Sequence, residues 1–401
     1  MYNVSYNIKV TQRTNRRTGV LVFDFVEKYE WDSSWKNMTD KGTISLPKNL
    51  YYTDKDGAKH PLAGSTANVG GYTENPFFMR GDKISLESGY SYFNKAGVQI
   101  FESRKIFDGY ISKVNSGIPI ELEIEDSMWL LKQTPLANKT YKSTDSLESI
   151  MEDLIAQVNK THGTALTYRA LNVTNFGQLI VNNETAAQLL NRLHKTFGFN
   201  SYFRDEELRC GSLIYIESDS STQTFIMNGV DGNVLADGQD LVYQRKDDIK
   251  LSALAHNTIE QSTGETTMDG KGKTKQTRLE VLVSIVNGKR IDRPIAKGEV
   301  VPANEDGERM TFFFPSAKTT IDLADLAYSK LVQNYYTGLK GKFTVYGIPY
   351  VRHGDYVLIK NPQQPEQNGR YKVKSVTYTG GTNGNRQEIE IDYKADFNII
   401  L

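Results

Sequence analysis

The chain of 401 residues has little of what marks the common chemical classes of protein. Its one cysteine, Cys210, excludes an internal disulfide and argues against a thiolate metal cluster. No run of about eighteen apolar residues occurs, and the N-terminal segment lacks a charged stretch followed by an apolar one. Basic and acidic residues balance at 48 each, which disfavours a generic nucleic-acid or anionic-membrane binder. We therefore expect a soluble protein without membrane insertion, made in a reducing compartment.

Catalytic motifs are also missing from the sequence. The histidines lie in different predicted elements and none falls in an H-x-x-x-H or H-E-x-x-H frame; they are His60, His162, His194, His256 and His353. No G-x-S-x-G motif occurs, and the Gly/Lys-rich stretch from Asp269 to Lys275 lacks the spacing of a phosphate-binding loop. We predict no catalytic residue, no metal ligand and no cofactor, and we do not expect an enzyme.

What the sequence does contain is a strand pattern that occurs twice. The first copy begins with Gly81-Asp82 before the alternating KISLES, and the second begins with Gly354-Asp355 before YVLIKN. Glycine permits the positive φ of a tight turn, and an aspartate can accept backbone N–H bonds within that turn. A second pair of matching stretches follows, DGYISKV with Gly109 and NGRYKVKSV with Gly369, each read as a turn and a strand.

Both copies close with strictly alternating strands, IELEIED at 120–126 and EIEID at 388–392. Alternation places their carboxylates on one face of the sheet, and these carboxylates include Glu121, Glu123, Glu125, Glu388 and Glu390. Acid–base catalysis needs carboxylates in unequal environments across a cleft, whereas ladders of this kind are more often a solvated or channel-facing surface. Because three elements recur in the same order, we predict an internal duplication.

Between the copies the hydrophobic period changes from two to about 3.6. Residues 146–160 predict an amphipathic helix with a capping box at Asp145 and Glu148, and 185–198 predict a second helix with a box at Thr185 and Gln188. We therefore expect a mainly β (α+β) fold with two related tube-forming β-barrels. The first barrel spans 1–132 and is completed by about 205–246, a small α/β insertion spans 133–204, and the second barrel spans 247–401 with a long hairpin and a helix at 319–337.

This order of elements resembles the phage baseplate hub family. The resemblance rests on the paired Gly-Asp strands, the D-G-Y-I stretch, the alternating I-x-L-x-I-x-D strand, the capped insertion and G-x-P-x-x-x-x-G-D at 347–355. The family includes late control protein D, the Mu-like tail protein of about 43 kDa and the N-terminal half of VgrG spikes. It implies a homotrimer whose paired barrels form a sixfold-like ring in the tail baseplate of a virion, made in the host cytoplasm.

The resemblance also implies partners: a hexameric tail tube protein, a threefold spike or tail-tip protein, other baseplate proteins and DNA that passes through the channel. The acidic strand faces are then candidates for the channel lining. The candidate partner contacts are basic residues at predicted hairpin tips, Arg13, Arg16, Arg17, Lys271 and Lys273.

Two other functions stay open at this stage. A tail-associated enzyme that cuts cell-wall glycan would need a cleft with paired carboxylates. A carbohydrate-binding β protein would need exposed aromatic side chains, and the chain has 23 tyrosines.

Overall fold

The computed structural model describes residues 3–14, 19–62, 75–93, 96–115, 117–142, 144–170, 179–211, 221–228, 232–266, 272–301, 308–314 and 317–395. Within 236–239, 260–266 and 272–276 only the backbone is described. In the described ranges no helix is long and apolar enough to cross a membrane.

The described part of the chain is mostly β-strand, as predicted. The strands are β1 (Asn3–Thr11), β2 (Val20–Phe23), β3 (Lys28–Ser34), β4 (Lys41–Leu46), β5 (Tyr51–Thr53), β6 (Lys59–Pro61), β7 (Lys83–Phe93), β8 (Gln99–Asn115), β9 (Ile120–Glu125), β10 (Lys139–Tyr141), β11 (Thr167–Ala170), β12 (Leu179–Val181), β13 (Asn200–Arg204), β14 (Glu207–Gly211), β15 (Thr222–Ile226), β16 (Val234–Gln244), β17 (Leu251–Thr266), β18 (Gly272–Val286), β19 (Lys289–Pro294), β20 (Glu308–Phe313), β21 (Gly338–Tyr346), β22 (Tyr356–Lys360), β23 (Gly369–Gly381) and β24 (Arg386–Lys394). The helices are α1 (Met128–Gln133), α2 (Leu147–His162), α3 (Ala186–Phe197) and α4 (Thr320–Asn334).

One long sheet of fifteen strands contains both predicted copies of the repeat. Neighbouring strands in the first half follow the order β1-β7-β8-β9-β4-β3, and in the second half the order β15-β22-β23-β24-β21-β16. Every pair in these two series is antiparallel except β15 with β22, which is parallel. The two halves therefore repeat the order of six strands.

The halves do not form two separate closed barrels within the described residues. Instead β3 of the first half pairs with the C-terminal part of β23 of the second, so the sheet runs through both. One hydrophobic core lies under this sheet, and it contains Ile44, Leu122 and Ile124 from the first half and Phe343 and Ile389 from the second. Burial of apolar surface by both halves in one core stabilises their arrangement as a unit.

The predicted completion of the first barrel by residues 205–246 is wrong for its last two strands. β15 pairs with β22, and β16 pairs with β21, so both strands belong to the second half of the long sheet. Sequence patterning could not decide this point, because alternation shows that a segment is a strand but not which strand it pairs with.

The predicted α/β insertion is present, and its core extends beyond the predicted limits. This core contains Tyr110 of β8 and residues from Met128 in α1 to Cys210 in β14, and it includes the apolar stripe of α2 and α3. The capping box of α3 at Thr185 and Gln188 is confirmed. The box predicted at Asp145 and Glu148 is wrong, because the N-cap residue of α2 is Ser146, whose side chain accepts the backbone N–H of Ser149.

A second insertion lies between β16 and β21. Four of its strands form a separate sheet in the order β19-β18-β17-β20, and α4 packs on that sheet over a core of its own. The sequence interpretation placed the long β17–β18 hairpin in the second barrel. The structure shows instead that the hairpin belongs to the insertion. β16, which precedes the hairpin in the chain, pairs directly with β21, which follows it.

Candidate functional site

The Gly-Asp turns of the two halves of the long sheet correspond residue by residue. Gly81 and Gly354 have φ of +88° and +79°, a region that glycine enters without steric cost. The backbone N–H of Gly81 donates to the carbonyl of Ile111, and that of Gly354 donates to the carbonyl of Val373. The next carbonyl in each half, that of Asp82 or Asp355, accepts the N–H of the same partner.

The aspartate side chains of these turns bind matching groups. Oδ2 of Asp82 accepts the N–H of Met79 at 2.7 Å, and Oδ2 of Asp355 accepts the N–H of Arg352 at 3.1 Å, three residues back in each case. Oδ1 of Asp82 accepts the N–H of Arg13, just after β1, and Oδ1 of Asp355 accepts the N–H of Ser221, just before β15. Each turn thus ties its own strand to the strand next to it in the sheet, and the two Gly-Asp turns make corresponding hydrogen bonds.

The other two glycines of the predicted turn motif have different roles. Gly109 lies within β8, where an added Cβ would be 2.1 Å from the carbonyl oxygen of Glu125. Gly369 is the first residue of β23, and an added Cβ there would be 2.7 Å from the side chain of Lys394. The turn predicted at Asp108-Gly109 is therefore wrong, because close approach between strands, and not a positive φ, requires glycine at position 109.

Strand irregularities repeat at the same places in the two halves. The β8–β9 ladder shifts register between Ile111 and Lys113, and the β23–β24 ladder shifts between Val373 and Ser375. After each shift the pairing continues with glutamates, so that Lys113 opposes Glu123 and Ser375 opposes Glu390. A β-bulge bends the strand and increases its local twist, and it is a defined feature of a fold and not a defect. The shared bulge therefore supports a duplicated sheet.

A further glycine match was not predicted from the sequence. Gly42 in β4 opposes Trp31 in β3, and Gly341 in β21 opposes Leu241 in β16. A Cβ at Gly42 would lie 2.1 Å from the carbonyl oxygen of Glu30, and one at Gly341 would lie 2.0 Å from that of Asp240. Both halves bring two strands too close for any other residue at this point.

The predicted acidic faces lie on one continuous surface. Directly opposed residues in a sheet point to the same face, and such pairings connect Glu123 through β4, β3 and β23 to β24. We call this surface the polar face; its carboxylates include Glu121, Glu123, Glu125, Glu388 and Glu390. The opposite face of the same strands is the buried core.

Lysines accompany most of these carboxylates, which sequence reasoning missed. Nitrogen–oxygen distances of 2.5 to 2.8 Å join the pairs Lys113–Glu123, Lys132–Glu125, Lys342–Glu388 and Lys374–Glu390. The hydrogen bond from Lys113 lowers the pKa of Glu123. The polar face is therefore a surface of alternating sign and not a ladder of one charge. The four lysines are visible in the sequence, but their pairing with the acidic strands depends on how β8, α1, β21 and β23 are placed beside those strands.

The joint between the halves is held by side chains as well as by the β3–β23 ladder. Asn385, in the β23–β24 turn, is buried against the first half. Its Oδ1 accepts the hydroxyl groups of Tyr6 at 2.8 Å and Tyr29 at 2.9 Å, and its amide donates to Ser88 at 2.5 Å. Because β1, β3 and β7 all contribute partners, one amide connects three strands of the first half to the second.

A buried polar cluster lies beside this joint. Asp40 accepts the N–H of Ser34 at 3.0 Å and the hydroxyl of Ser33, which lies 2.8 Å from Nδ1 of His353. Asp126 accepts the N–H of Asp40 at 3.2 Å. Burial raises the pKa of Asp40 to about 7 and that of Asp126 as well, and burial lowers the pKa of His353 to about 3.

This cluster does not provide the cleft that a glycan hydrolase would need. The cavity next to Asp40 and Asp126 has a volume of about 70 Å³. Ligand pockets usually measure roughly 300 Å³ or more, so the cavity has room for water but not for a sugar chain. Among the described residues no group of three or more His, Cys, Asp or Glu side chains could hold a metal ion.

The predicted partner contacts are only partly described. Arg13 lies two residues after β1, where its side chain is exposed while its N–H binds Asp82. Arg16, Arg17 and Lys271 lie outside the described residues, and only the backbone of Lys273 is described. Their role as contacts stays a prediction.

Comparison with known proteins identifies the fold. No family model matches the chain, and no curated protein matches its sequence. A tail protein from Neisseria meningitidis MC58 matches over 98% of this chain and 97% of its own, with a TM-score of 0.55 and 12% identity. The 43 kDa tail protein of prophage MuSo2 from Shewanella oneidensis matches over 97% of this chain and 98% of its own, with a TM-score of 0.52 and 12% identity.

The chain has the fold of these tail proteins. Coverage is nearly complete in both directions, so the tail-protein fold includes the insertions as well as the long sheet. The resemblance inferred from the order of the motifs is confirmed at the level of the fold.

Proposed function

We propose that the chain is a structural protein of a phage or phage-derived tail, and that it is the hub of the baseplate. The tail-protein fold supports the first part. The observation that carries the second part is the residue-by-residue duplication within one sheet, at the Gly-Asp turns, the bulges and the opposed glycines.

Symmetry gives the physical reason for a duplicated sheet. A ring that contacts a sixfold tube on one side and a threefold spike on the other must present six similar surfaces from three subunits. A chain with two similar halves meets this requirement as a homotrimer. In this proposal the partners are the tail tube protein, a spike or tail-tip protein and other baseplate proteins, and the assembly is located in the virion tail.

The polar face lines the channel in this proposal. Carboxylates and lysines at short distances on one surface leave little net charge, and counterion release from bound DNA needs an excess of cationic groups. DNA that passes such a surface is neither held nor strongly repelled. In this proposal the balance of positive and negative charge on the polar face lets DNA pass through the channel.

The number of copies and the shape of the assembly test the proposal. Native mass spectrometry of the purified full chain, alone and with the tail tube protein of the same gene cluster, is expected to give a trimer. Electron microscopy is expected to show rings with six similar lobes. A chain that stays monomeric with and without the tube protein contradicts the hub function.

A further inference from the structure

The second half of the long sheet ends in a strand whose outer edge has no strand partner among the described residues. β16 pairs with β21 on one side only and stands at the end of the sheet order. Its Val242 is an exposed apolar side chain, with 64% of its surface accessible. Long unpaired edges readily add another strand, and natural proteins usually shorten or block them. At the opposite end of the order, β6 has only three residues and ends in Pro61.

A second open edge lies in the first half, on β8. β7 pairs with β8 up to Tyr110, and the Gly81-Asp82 turn binds Ile111 on the same side. From Lys113 to Asn115 this side of β8 has no strand partner in the described part of the chain, while β9 pairs on the other side.

The joint inside the chain shows how two such edges fit together. β3, the counterpart of β16, uses its outer edge to pair with β23, the counterpart of β8. It does so directly beyond the point where the Gly354-Asp355 turn binds Val373. In this joint Asp32 opposes Thr377, and Ser34 opposes Ser375, in antiparallel register.

The match between the two halves shows which residues of the open edges correspond to the paired residues of the internal joint. Leu241 matches Trp31, because each opposes the close-approach glycine of its half, so Val242 matches Asp32 and Gln244 matches Ser34. On the other strand, Lys113 of β8 matches Ser375 of β23, and Asn115 matches Thr377. The match follows from their partners across the sheet, where the first glutamate after each bulge pairs with Lys113 or Ser375 and the next one on that face pairs with Asn115 or Thr377. These pairs are Lys113↔Glu123, Ser375↔Glu390, Asn115↔Glu121 and Thr377↔Glu388.

We propose that β16 of one copy pairs antiparallel with β8 of a second copy of this chain, with Val242 opposite Asn115 and Gln244 opposite Lys113. The inference rests on the proposed hub function and adds the contact that closes the ring. The contact is heterologous, since each copy uses β16 toward one neighbour and β8 toward the other, and such contacts form rings when the rotation closes. Val242 becomes covered, and joints within and between chains alternate around one continuous sheet.

Disulfide cross-linking of the full chain tests the register. Opposed Cα atoms in an antiparallel pair are roughly 4.5 to 5.5 Å apart, which is within the range that a disulfide spans. The variant with V242C and N115C is expected to give, under mild oxidation, a covalent ladder that ends at three chains and disappears with reductant. Cys210 does not interfere, because burial raises the pKa of its thiol to about 11.

Two matched variants complete the experiment. D32C with T377C uses the corresponding pair of the internal joint and is expected to form a disulfide within one chain. D240C with N115C places the first cysteine two residues out of register on the same face, and we expect at most a tenth of the cross-linked product of V242C with N115C.

The outcomes separate this inference from the hub function. A trimer in native mass spectrometry, together with cross-linking of D32C/T377C but not of V242C/N115C, overturns the register and leaves the trimeric hub intact. Equal cross-linking of V242C/N115C and D240C/N115C also overturns it. A chain that neither cross-links between copies nor forms a trimer contradicts the register and the hub function together.

Discussion

Asn385 is a single side chain that connects the two halves of the long sheet. Its carboxamide has partners on Tyr6, Tyr29 and Ser88, and all three belong to the first half. A buried polar group that loses its partner costs about 1–3 kcal/mol. Removal of this amide leaves several such groups at once, since the phenol of Tyr29 is itself buried.

We predict that N385A lowers the free energy of unfolding by about 2–4 kcal/mol, measured by urea denaturation at neutral pH. Tyr6 keeps the carbonyl of Gly381 as a partner, which limits the loss. N7A is the matched control, because Asn7 makes one exposed hydrogen bond to Glu87 and its removal should cost less than about 0.5 kcal/mol. Equal stability of N385A and N7A would show that the amide does not hold the joint.

The buried carboxyl of Asp40 makes stability depend on pH. In the folded chain burial raises the pKa of the Asp40 carboxyl to about 7, whereas in the unfolded chain it ionises near the ordinary aspartate pKa of 3.8. Between these values the folded state binds more protons, so this group stabilises the fold at low pH and its contribution is lost as the pH rises toward 7. His353, with its pKa lowered to about 3, acts in the opposite direction below about pH 6.5.

We predict that D40N is more stable than the natural chain at pH 8, by on the order of 1–3 kcal/mol, and that the difference shrinks toward pH 5. The comparison isolates Asp40, because His353 is present in both proteins. Asparagine keeps an acceptor for the N–H of Ser34 and cannot ionise. Thermal denaturation at both pH values measures the difference, with D24N at an exposed carboxylate as control. A difference that does not vary with pH would contradict the raised pKa.

At the scale of elements, the turn between β13 and β14 connects the α/β insertion to both halves. Arg204 pairs with Asp355 at 2.9 Å, and both side chains are almost fully buried. Asp205 pairs with Arg352 of the second half, and Glu206 pairs with Lys83 of the first. The turn thus lies where the insertion, the first half and the second half meet.

We predict that R204A destabilises the chain by about 3–5 kcal/mol, because it leaves a carboxylate buried without its charged partner. K83A removes the pairs of the partly exposed Lys83 with Glu206 and Asp108 and should cost less than about 1 kcal/mol. Urea denaturation followed by tryptophan fluorescence compares the two variants. If both cost the same, the buried pair is not what fixes the insertion to the sheet.

Elements could be predicted from the sequence where their signals lie in neighbouring residues. β9 and β24 alternate strictly, and the capping box of α3 spans four residues, so both were predicted from short stretches of sequence. The turn assigned at Gly109 failed because the same glycine also suits close approach to a neighbouring strand. Membership of β15 and β16 in the second half depends on β21 and β22, more than ninety residues away, and no local pattern reports it.

At the scale of the whole molecule, the polar face carries the proposed function. Its carboxylates are mostly matched by lysines, so the balance of charge on this face depends on both sets of residues. A change in one set alone leaves the other set uncompensated, and uncompensated lysines bind phosphate groups of DNA in a salt-dependent manner.

We predict that the triple variant E121Q/E123Q/E125Q folds normally, binds DNA in a gel-shift assay at low salt and slows genome delivery when built into particles. The reason is that Lys113 and Lys132 lose their ion pairs with Glu123 and Glu125. The triple variant E148Q/E152Q/E366Q changes exposed glutamates away from the face and serves as control. Unchanged delivery by the first variant would reject the assignment of this face to the channel.

The sequence by itself determined the mainly β class, the two Gly-Asp turns, the alternation that separates core from polar face, and the capped helix α3. These features depend on residues that are neighbours in the chain, where glycine φ, side-chain period and capping act. Tertiary structure alone decided that β3 joins β23 over more than three hundred residues, that β15 and β16 belong to the second half, and that lysines neutralise the polar face. Pairing of distant strands is chosen by the fit of whole edges and a shared core, and such a fit exists only once the chain has folded.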